Sequence, residues 1–427
     1  MLDLHHKMLY NHGNCSKRIA AQIYIRRIIM QLVLSLLGIV VVLGLLWLLS
    51  WNRKAIDWKL VIKAIVIQFI LAIFIIKVPV GQKIVTVASD AISAVVNCGK
   101  DGLAFVFGDL ADGSKMSVFI VQSLGGVIFV SALVELLYYI GALGFVVKWI
   151  GKAVGKVMGS TAVESFVAVA NVFLGQTSAP VLVSKYIKNM TDSEILVVLV
   201  SGMGSMEMSI LAAYAGLGIP MEYLLIASVL VPVGSLLVAK MILPETEKAL
   251  SIDDVKMDNK GQNSNVIDAI VSGANTGLSM VLGIAASLVA IIGLVSLINL
   301  VLGKINLSLE TIFSYVFAPF GFLMGLGVED ALKEGMLLGE KLALNEFVAF
   351  DTLGQFIDSL DERFAMVASI SLAGFANLSS MGICVGGIGV LCPEKRSTLS
   401  RLVFKAMLGG MLLSILSAMI CGIVALF

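Results

Sequence analysis

The chain has 427 residues, 59% hydrophobic and 14% charged, with a formal net charge of +1 and a mean hydropathy of +1.00. Soluble domains run nearer about 25% charged, so this composition describes a polytopic integral membrane protein, not an aqueous domain. The near-neutral charge excludes a nucleic-acid surface. The scattered cysteines (Cys15, Cys98, Cys384, Cys392, Cys421) form no CxxC spacing and indicate neither a disulfide framework nor a zinc site. His5, His6 and His12 all precede the first apolar run, which excludes intramembrane catalysis through histidine.

Residues 1–29 are polar and basic, and no small-residue cleavage site follows the apolar run after them, so they are not a signal peptide. Two readings are open: a basic cytoplasmic tail, or a start set upstream of a native one at Met30. The run "MQLVLSLLGIVVVLGLLWLLSW" (30–51) is uncharged. It is long enough to cross a hydrocarbon core of roughly 30 Å at about 1.5 Å per residue. Full-length spans are predicted at 30–50, 58–78, 117–147, 191–217, 220–243, 270–303, 361–390 and 399–427. The expected fold is therefore all-α, with eight transmembrane helices.

Residues 81–110 and 145–158 are amphipathic and too charged to span, which places them along the membrane interface. Residues 30–110 thus hold the first two spans and an interfacial helix. The polar loop 244–265 then separates a first half of the core, 111–243, from a second, 266–427. Arg53, Lys54 and Lys59 follow the first span, and Lys395, Arg396, Arg401 and Lys405 precede the last. The bias of Lys and Arg toward the cytoplasm puts both clusters inside, although the basic residues before Met30 argue the other way.

Two stretches fit neither a span nor a loop. Residues 161–187 are apolar at both ends but broken at Gly175-Gln176-Thr177-Ser178 and Pro180, and 328–357 is interrupted around "LALNEF". Each is predicted as a re-entrant hairpin, since irregular backbone at membrane depth is tolerated only where it is buried or lines a cavity. Gly175 permits a close turn, and Pro180 suits the start of the return helix. "TDSE" (191–194) and "SLDE" (359–362) then have the form of capping boxes, opening helices that carry the polar clusters "GMGSMEMS" (202–209) and "GFANLSSMG" (374–382). Gln176 to Ser205 is 29 residues, and Glu346 to Asn377 is 31. Hairpin, capped start and mid-helix polar cluster recur at near-equal spacing, the pattern of an inverted-repeat transport core with its site at the midplane.

A carboxylate at membrane depth costs at least about 2.5 kcal/mol, so Glu346 is expected to act in a polar cavity rather than merely pair with Lys341. Asn345 beside it adds donors and an acceptor. Gln176 and Thr177 form a second polar pair at the first break, and Phe375, Asn377 and Ser380 present a ring, an amide and a hydroxyl together. Neither cluster contains arginine, which argues against a phosphate or carboxylate substrate and for a neutral, hydroxylated, planar solute. Asn171 lies one helical turn before Gly175, near the freed carbonyl of Leu174, while Ser205 and the carbonyl of Met206 lie mid-depth in the following helix. Uncharged oxygens of this kind suit a small hard cation.

"GQTSAP" (175–180), "KLALNEFVAF" (341–350) and "GFANLSSMGI" (374–383) together resemble the signature stretches of the concentrative nucleoside transporters, over residues 30 to the end. The resemblance implies eight transmembrane helices, two re-entrant hairpins, a homotrimer in the cell membrane, and nucleoside import driven by Na⁺ or H⁺, with no further cofactor. It places Gln176 and Thr177 on the base, Phe375 beside it, and Glu346, Asn377 and Ser380 on the ribose. Asn171, Leu174, Ser205 and Met206 match the family's Na⁺ site.

There are two departures from the family pattern. Ser178 stands where many members have glutamate, which implies room for larger purines, and Glu207 stands where a small or apolar residue is expected. An ion channel or cation exchanger using Glu346 and Glu207 is the alternative reading, and proton coupling through either carboxylate the alternative to Na⁺. No GxSxG with a histidine partner, HExxH or GxGD motif supports an enzyme.

Overall fold

The computed structural model describes residues 2–112, 118–247 and 263–427. Most of the predicted polar loop 244–265 falls outside them. The described residues are helical and contain no strand. The first half comprises α1 (Leu2–Leu49), α2 (Trp58–Lys77), α3 (Pro79–Phe107), α4 (Phe119–Gln122), α5 (Gly126–Tyr139) and α6 (Ala142–Met158). It continues through α7 (Ala162–Leu182), α8 (Ser184–Ile187), α9 (Asp192–Gly204), α10 (Met208–Gly216) and α11 (Met221–Ile242). The second half comprises α12 (Val266–Leu302), α13 (Leu309–Leu323), α14 (Val328–Ala343), α15 (Glu346–Gly354), α16 (Glu362–Leu372), α17 (Leu378–Leu391) and α18 (Arg396–Ala425).

Eight helices among the described residues are long and apolar enough to cross a membrane, but the set differs from the predicted one, since it takes the first hairpin, Ala162–Leu182, as one length although its backbone breaks at Gly175. Predicted spans 191–217 and 361–390 are each interrupted, at Ser205–Glu207 and at Ala373–Asn377. Each carries a glycine and polar residues at mid-depth, where packing against a second backbone replaces helix continuity. The 117–147 span is broken near Ser123 and ends at Tyr139. Helix α13 was not anticipated; it and α14 form a pair bent by 117°.

Both hairpin arms are too short to cross. Ala162 to Leu174 rises only about 20 Å at ~1.5 Å per residue, so the break at Gly175 (φ 75°) sits at depth. Pro180 does not open the return arm. It is inside it, where its missing N–H leaves the carbonyl of Gln176 out of the helix ladder.

Capping fixes where these segments begin. Thr191 and Glu194 form the predicted capping box, and Thr161 with Glu164 forms another. The Thr161 hydroxyl also donates to Glu194 Oε1 at 3.0 Å, and Lys240 pairs with Glu164 and donates to Ser193 Oγ at 2.9 Å. The starts of α7 and α9 are therefore tied at one level. The "SLDE" box does not form: Ser359 donates to the Phe356 carbonyl, and Asp361 is the N-cap, accepting from Phe364 N–H at 3.0 Å. Aspartate caps as well as serine and lies nearer the first helical residue.

Burial grades from rim to centre. Buried residues make up 94% of the membrane window of α18 and 83% of that of α11, against 28% for α2 and 6% for α12. Lys405 donates to the Leu49 carbonyl at 2.6 Å and sits 4.1 Å from the Trp51 ring centroid, so the two basic clusters share one end of the bundle, as their charge implied. The interruptions of α9–α10 and α16–α17 meet backbone to backbone. Phe375 N–H donates to the Ser205 carbonyl at 3.3 Å, and a Cβ on Gly374 (φ 103°) would stand 2.8 Å from the Gly204 carbonyl group.

Gly374→Ala must therefore strain a left-handed residue, at about 1–2 kcal/mol, and overpack the crossing at about 1–3 kcal/mol. The purified protein should melt several degrees lower and transport poorly. Gly382→Ala, with nothing within 4 Å of its new methyl, should change neither. Equal melting temperatures for the two variants would contradict this account.

Candidate functional site

A cavity of about 340 Å³ opens where the interrupted segments converge. It is lined by Gln176 and Thr177 from the first hairpin, Glu207 and Ile210 from the α9–α10 region, and Asn345, Glu346 and Phe347 from the second hairpin. Phe375, Asn377, Ser379, Ser380 and Ile383 come from the α16–α17 region, and Met280, Gly283, Ile284 and Ser287 of α12 close one side. The size falls within the range of sites for small organic ligands, about 300–1,000 Å³.

Glu346 is the first residue of α15 and 7% exposed. Its Oε1 accepts from the Tyr214 hydroxyl at 3.0 Å, and its Oε2 accepts from Asn377 Nδ2 at 2.7 Å. Asn377 caps α17, with Oδ1 accepting from Ser380 N–H at 2.9 Å and Ser379 Oγ at 2.7 Å. With that oxygen committed to donors, the amide nitrogen is the end left to meet Glu346, which settles its orientation through the network. Each carboxylate oxygen keeps acceptor capacity at the cavity wall.

Lys341 does not pair with Glu346. Fully buried, its Nζ donates to the carbonyls of Ser371 (2.8 Å) and Ala373 (3.0 Å) and to Ser414 Oγ (2.8 Å), binding the second hairpin to the end of α16 and to α18. Nearby, Ser371 Oγ donates to Glu334 Oε1 at 2.5 Å.

Gln176 donates through Nε2 to Ser380 Oγ at 3.3 Å, and its Oε1 accepts from Cys384 Sγ at 3.3 Å, so the two halves of the core touch through this side chain. Asn345 lines the cavity but also caps α15, accepting from Val348 N–H at 2.9 Å. Ser178 is half-buried and is not part of the lining, so the reading of a pocket widened for purines finds no support in the geometry.

The four residues read as cation ligands cluster behind the first break. Asn171 is fully buried; its Nδ2 donates to Ser201 Oγ at 2.8 Å, and its carbonyl accepts from Ser205 Oγ at 3.1 Å. Its Oδ1 is buried without a hydrogen-bond partner. An oriented acceptor left empty at depth is costly unless a cation or donor meets it. Leu174 precedes the break at Gly175, and Met206 lies in the non-helical stretch between α9 and α10, both buried.

Sequence reasoning missed Tyr214, Ser379 and Cys384. Tyr214 offers no signal of its own, an aromatic in an apolar helix. Ser379 and Cys384 fall within or beside a motif already singled out, and only the turn of α17 reveals what they touch.

Three family profiles match the chain: "Na+ dependent nucleoside transporter N-terminus" over residues 37–110, "Nucleoside recognition" over 120–221, and "Na+ dependent nucleoside transporter C-terminus" over 223–422. An uncharacterized transporter of Haemophilus influenzae is 40% identical over 411 residues, covering 92% of this chain and 98% of its own. The nucleoside permease NupC of Helicobacter pylori is 36% identical, covering 91% and 97%. The solved structure of CNTnw in an inward-facing substrate-bound state superposes with a TM-score of 0.89 at 36% identity, covering 92% of this chain and 99% of that one. With its multi-pass helical core and these relatives, the chain is a cell-membrane protein belonging to the Na⁺-dependent concentrative nucleoside transporter family.

Proposed function

We propose that the protein is a Na⁺-coupled symporter that imports nucleosides, with the ribose held by Glu346 and the base placed among Phe375, Gln176 and Thr177. The observation that carries this reading is Glu346 itself, braced between Tyr214 and Asn377 at the wall of a cavity that no arginine or lysine lines among the described residues. A carboxylate so held accepts from vicinal hydroxyls without reorganising, so little ordering entropy is lost on binding. Ser380 and Asn377 extend the ribose contacts, and Asn345 supports the turn that presents Glu346.

Na⁺ is taken by the oxygens of Asn171 and Ser205, with the carbonyls of Leu174 and Met206 completing the set. The unpartnered Asn171 Oδ1 supports this assignment. Coupling follows from adjacency. Asn171 and Gln176 flank the same break at Gly175, so a cation that fixes this break pre-orders Gln176 for substrate, and by linkage substrate raises the affinity for Na⁺. The proposal includes a homotrimer, consistent with the exposed apolar surface of α12, where Leu294 is 59% and Leu300 70% exposed. No observation favours a channel or a proton-driven carrier.

Glu346→Gln should retain the fold and weaken ribonucleoside uptake about ten- to a hundred-fold, the loss of a charged hydrogen bond of roughly 1.5–3 kcal/mol. Tyr214→Phe, which removes only the brace and leaves the ribose contacts of Glu346 in place, should cost less, about three- to ten-fold. In both, competition by 2′,3′-dideoxynucleosides should change least; unaltered ribonucleoside uptake by Glu346→Gln would sink the assignment.

Replacing Na⁺ by choline at fixed pH should abolish concentrative uptake, and Asn171→Ala should raise the Na⁺ concentration for half-maximal rate about tenfold or more. Uptake indifferent to Na⁺ but collapsed by a protonophore decides for protons instead.

A further inference from the structure

Glu207 is a carboxylate that neither the ribose contacts nor the ion ligands employ. It stands at the N-cap position of α10, yet its side chain makes no capping hydrogen bond. Its Oε1 accepts from Ser209 Oγ at 2.6 Å, the one hydrogen bond it makes among the described residues. The rest of the side chain lies against the first hairpin's break: a Cβ on Gly175 would stand 2.6 Å from Glu207 Oε2 and 3.1 Å from Glu207 Cβ. Gly175 thus combines a positive φ with a bare Cα against which this carboxylate packs. Glu207 lines the same cavity as Gln176, Thr177 and Phe375.

A carboxylate at membrane depth, with one hydroxyl donor and no basic partner, retains acceptor capacity that burial makes costly to leave idle. The cavity has two carboxylates in its lining, Glu346 at the start of α15 and Glu207 beside the first hairpin's break, and a nucleoside presents two kinds of hydrogen-bond donor: a diol on the sugar and an N–H on the far edge of the base.

We propose that Glu207 is the second anionic acceptor of the substrate site, reading a base-edge N–H beside Gln176 and Thr177, and so selects nucleosides whose base carries a ring imide or amide N–H. This rests on the nucleoside reading above. Methylation of that nitrogen removes the donor and adds bulk against the carboxylate.

The test compares inhibition of labelled uridine uptake by uridine and 3-methyluridine, and of labelled inosine uptake by inosine and 1-methylinosine. Wild-type protein, Glu207→Gln and Glu207→Ala are each measured. In wild type, methylation should weaken competition about tenfold or more for at least one pair, the loss of a hydrogen bond to a charged group. In Glu207→Ala that penalty should shrink to about twofold, with Glu207→Gln between, while the cost of removing the ribose hydroxyls stays as in wild type. A methylation penalty absent from wild type, or equally large in Glu207→Ala, overturns the proposal. So does a variant that shifts only the Na⁺ or pH dependence, which assigns Glu207 to the coupling ion. Failure of unlabelled uridine and inosine to compete at all in wild type marks the failure of the nucleoside reading itself, and this proposal falls with it. The wild-type arm needs no variant to fold, and Glu207→Gln preserves shape where Glu207→Ala does not.

Discussion

The arrangement depends on one constraint: two helices are interrupted inside the membrane, and every backbone group freed there must find a partner without water. An unsatisfied N–H or C=O in hydrocarbon costs several kcal/mol, so such breaks survive only when they satisfy one another. The Ser205 carbonyl accepts from Phe375 N–H, and the Lys341 ammonium collects the carbonyls of Ser371 and Ala373 at the end of α16. The backbones approach this closely because glycines stand at the contact. Gly374 faces Gly204, and Gly410 of α18 lies against both Met203 and Gly204. Side chains there would separate the two halves and leave the carbonyls unmet.

The breaks also generate the site. Interrupting a helix at mid-depth creates a new helix start, and a start needs a cap. Asn345 and Asn377 serve α15 and α17 in this way, each with its amide oxygen accepting a backbone N–H. Capping spends the oxygen and leaves the amide nitrogen, so the residue that ends one structural deficit supplies a donor to the cavity. Glu346, as the first residue of α15, additionally lies at the positive end of that helix's dipole, which favours a negative charge.

Tyr214 shows how the two halves of the core become one site. It belongs to α10 in the first half, yet its hydroxyl donates to Glu346 in the second, and its ring lies 4.4 Å from that of Phe350 and 5.7 Å from that of Phe347. Gln176 reaches Ser380 and Cys384 from the opposite direction. The polar contacts around the cavity therefore join the two halves of the core from both directions.

Much of this was legible in the residues alone. Apolar length, two broken stretches and a recurring hairpin–cap–polar-cluster spacing specified an all-α membrane protein with a repeated core, because hydrocarbon thickness and backbone satisfaction leave few alternatives. Glu346, Gln176 and Asn377 stood out because polar groups at membrane depth are rare and expensive. Other features were not legible. The interruptions in α9–α10 and α16–α17 lie within apolar runs that periodicity reads as continuous, and the cap of α16 moved from Ser359 to Asp361 because local sequence permits either. Ser178 and Thr177 are neighbours with the same chemistry, and only the turn of the return arm puts one in the cavity wall and the other outside it. Tyr214 and the shared glycine crossing join residues more than a hundred positions apart in the chain. Local chemistry thus determined which groups must be satisfied within the membrane; which partner satisfies each was decided by the packing of distant segments, since hydrogen bonds act over about 3 Å and sequence carries no such distance.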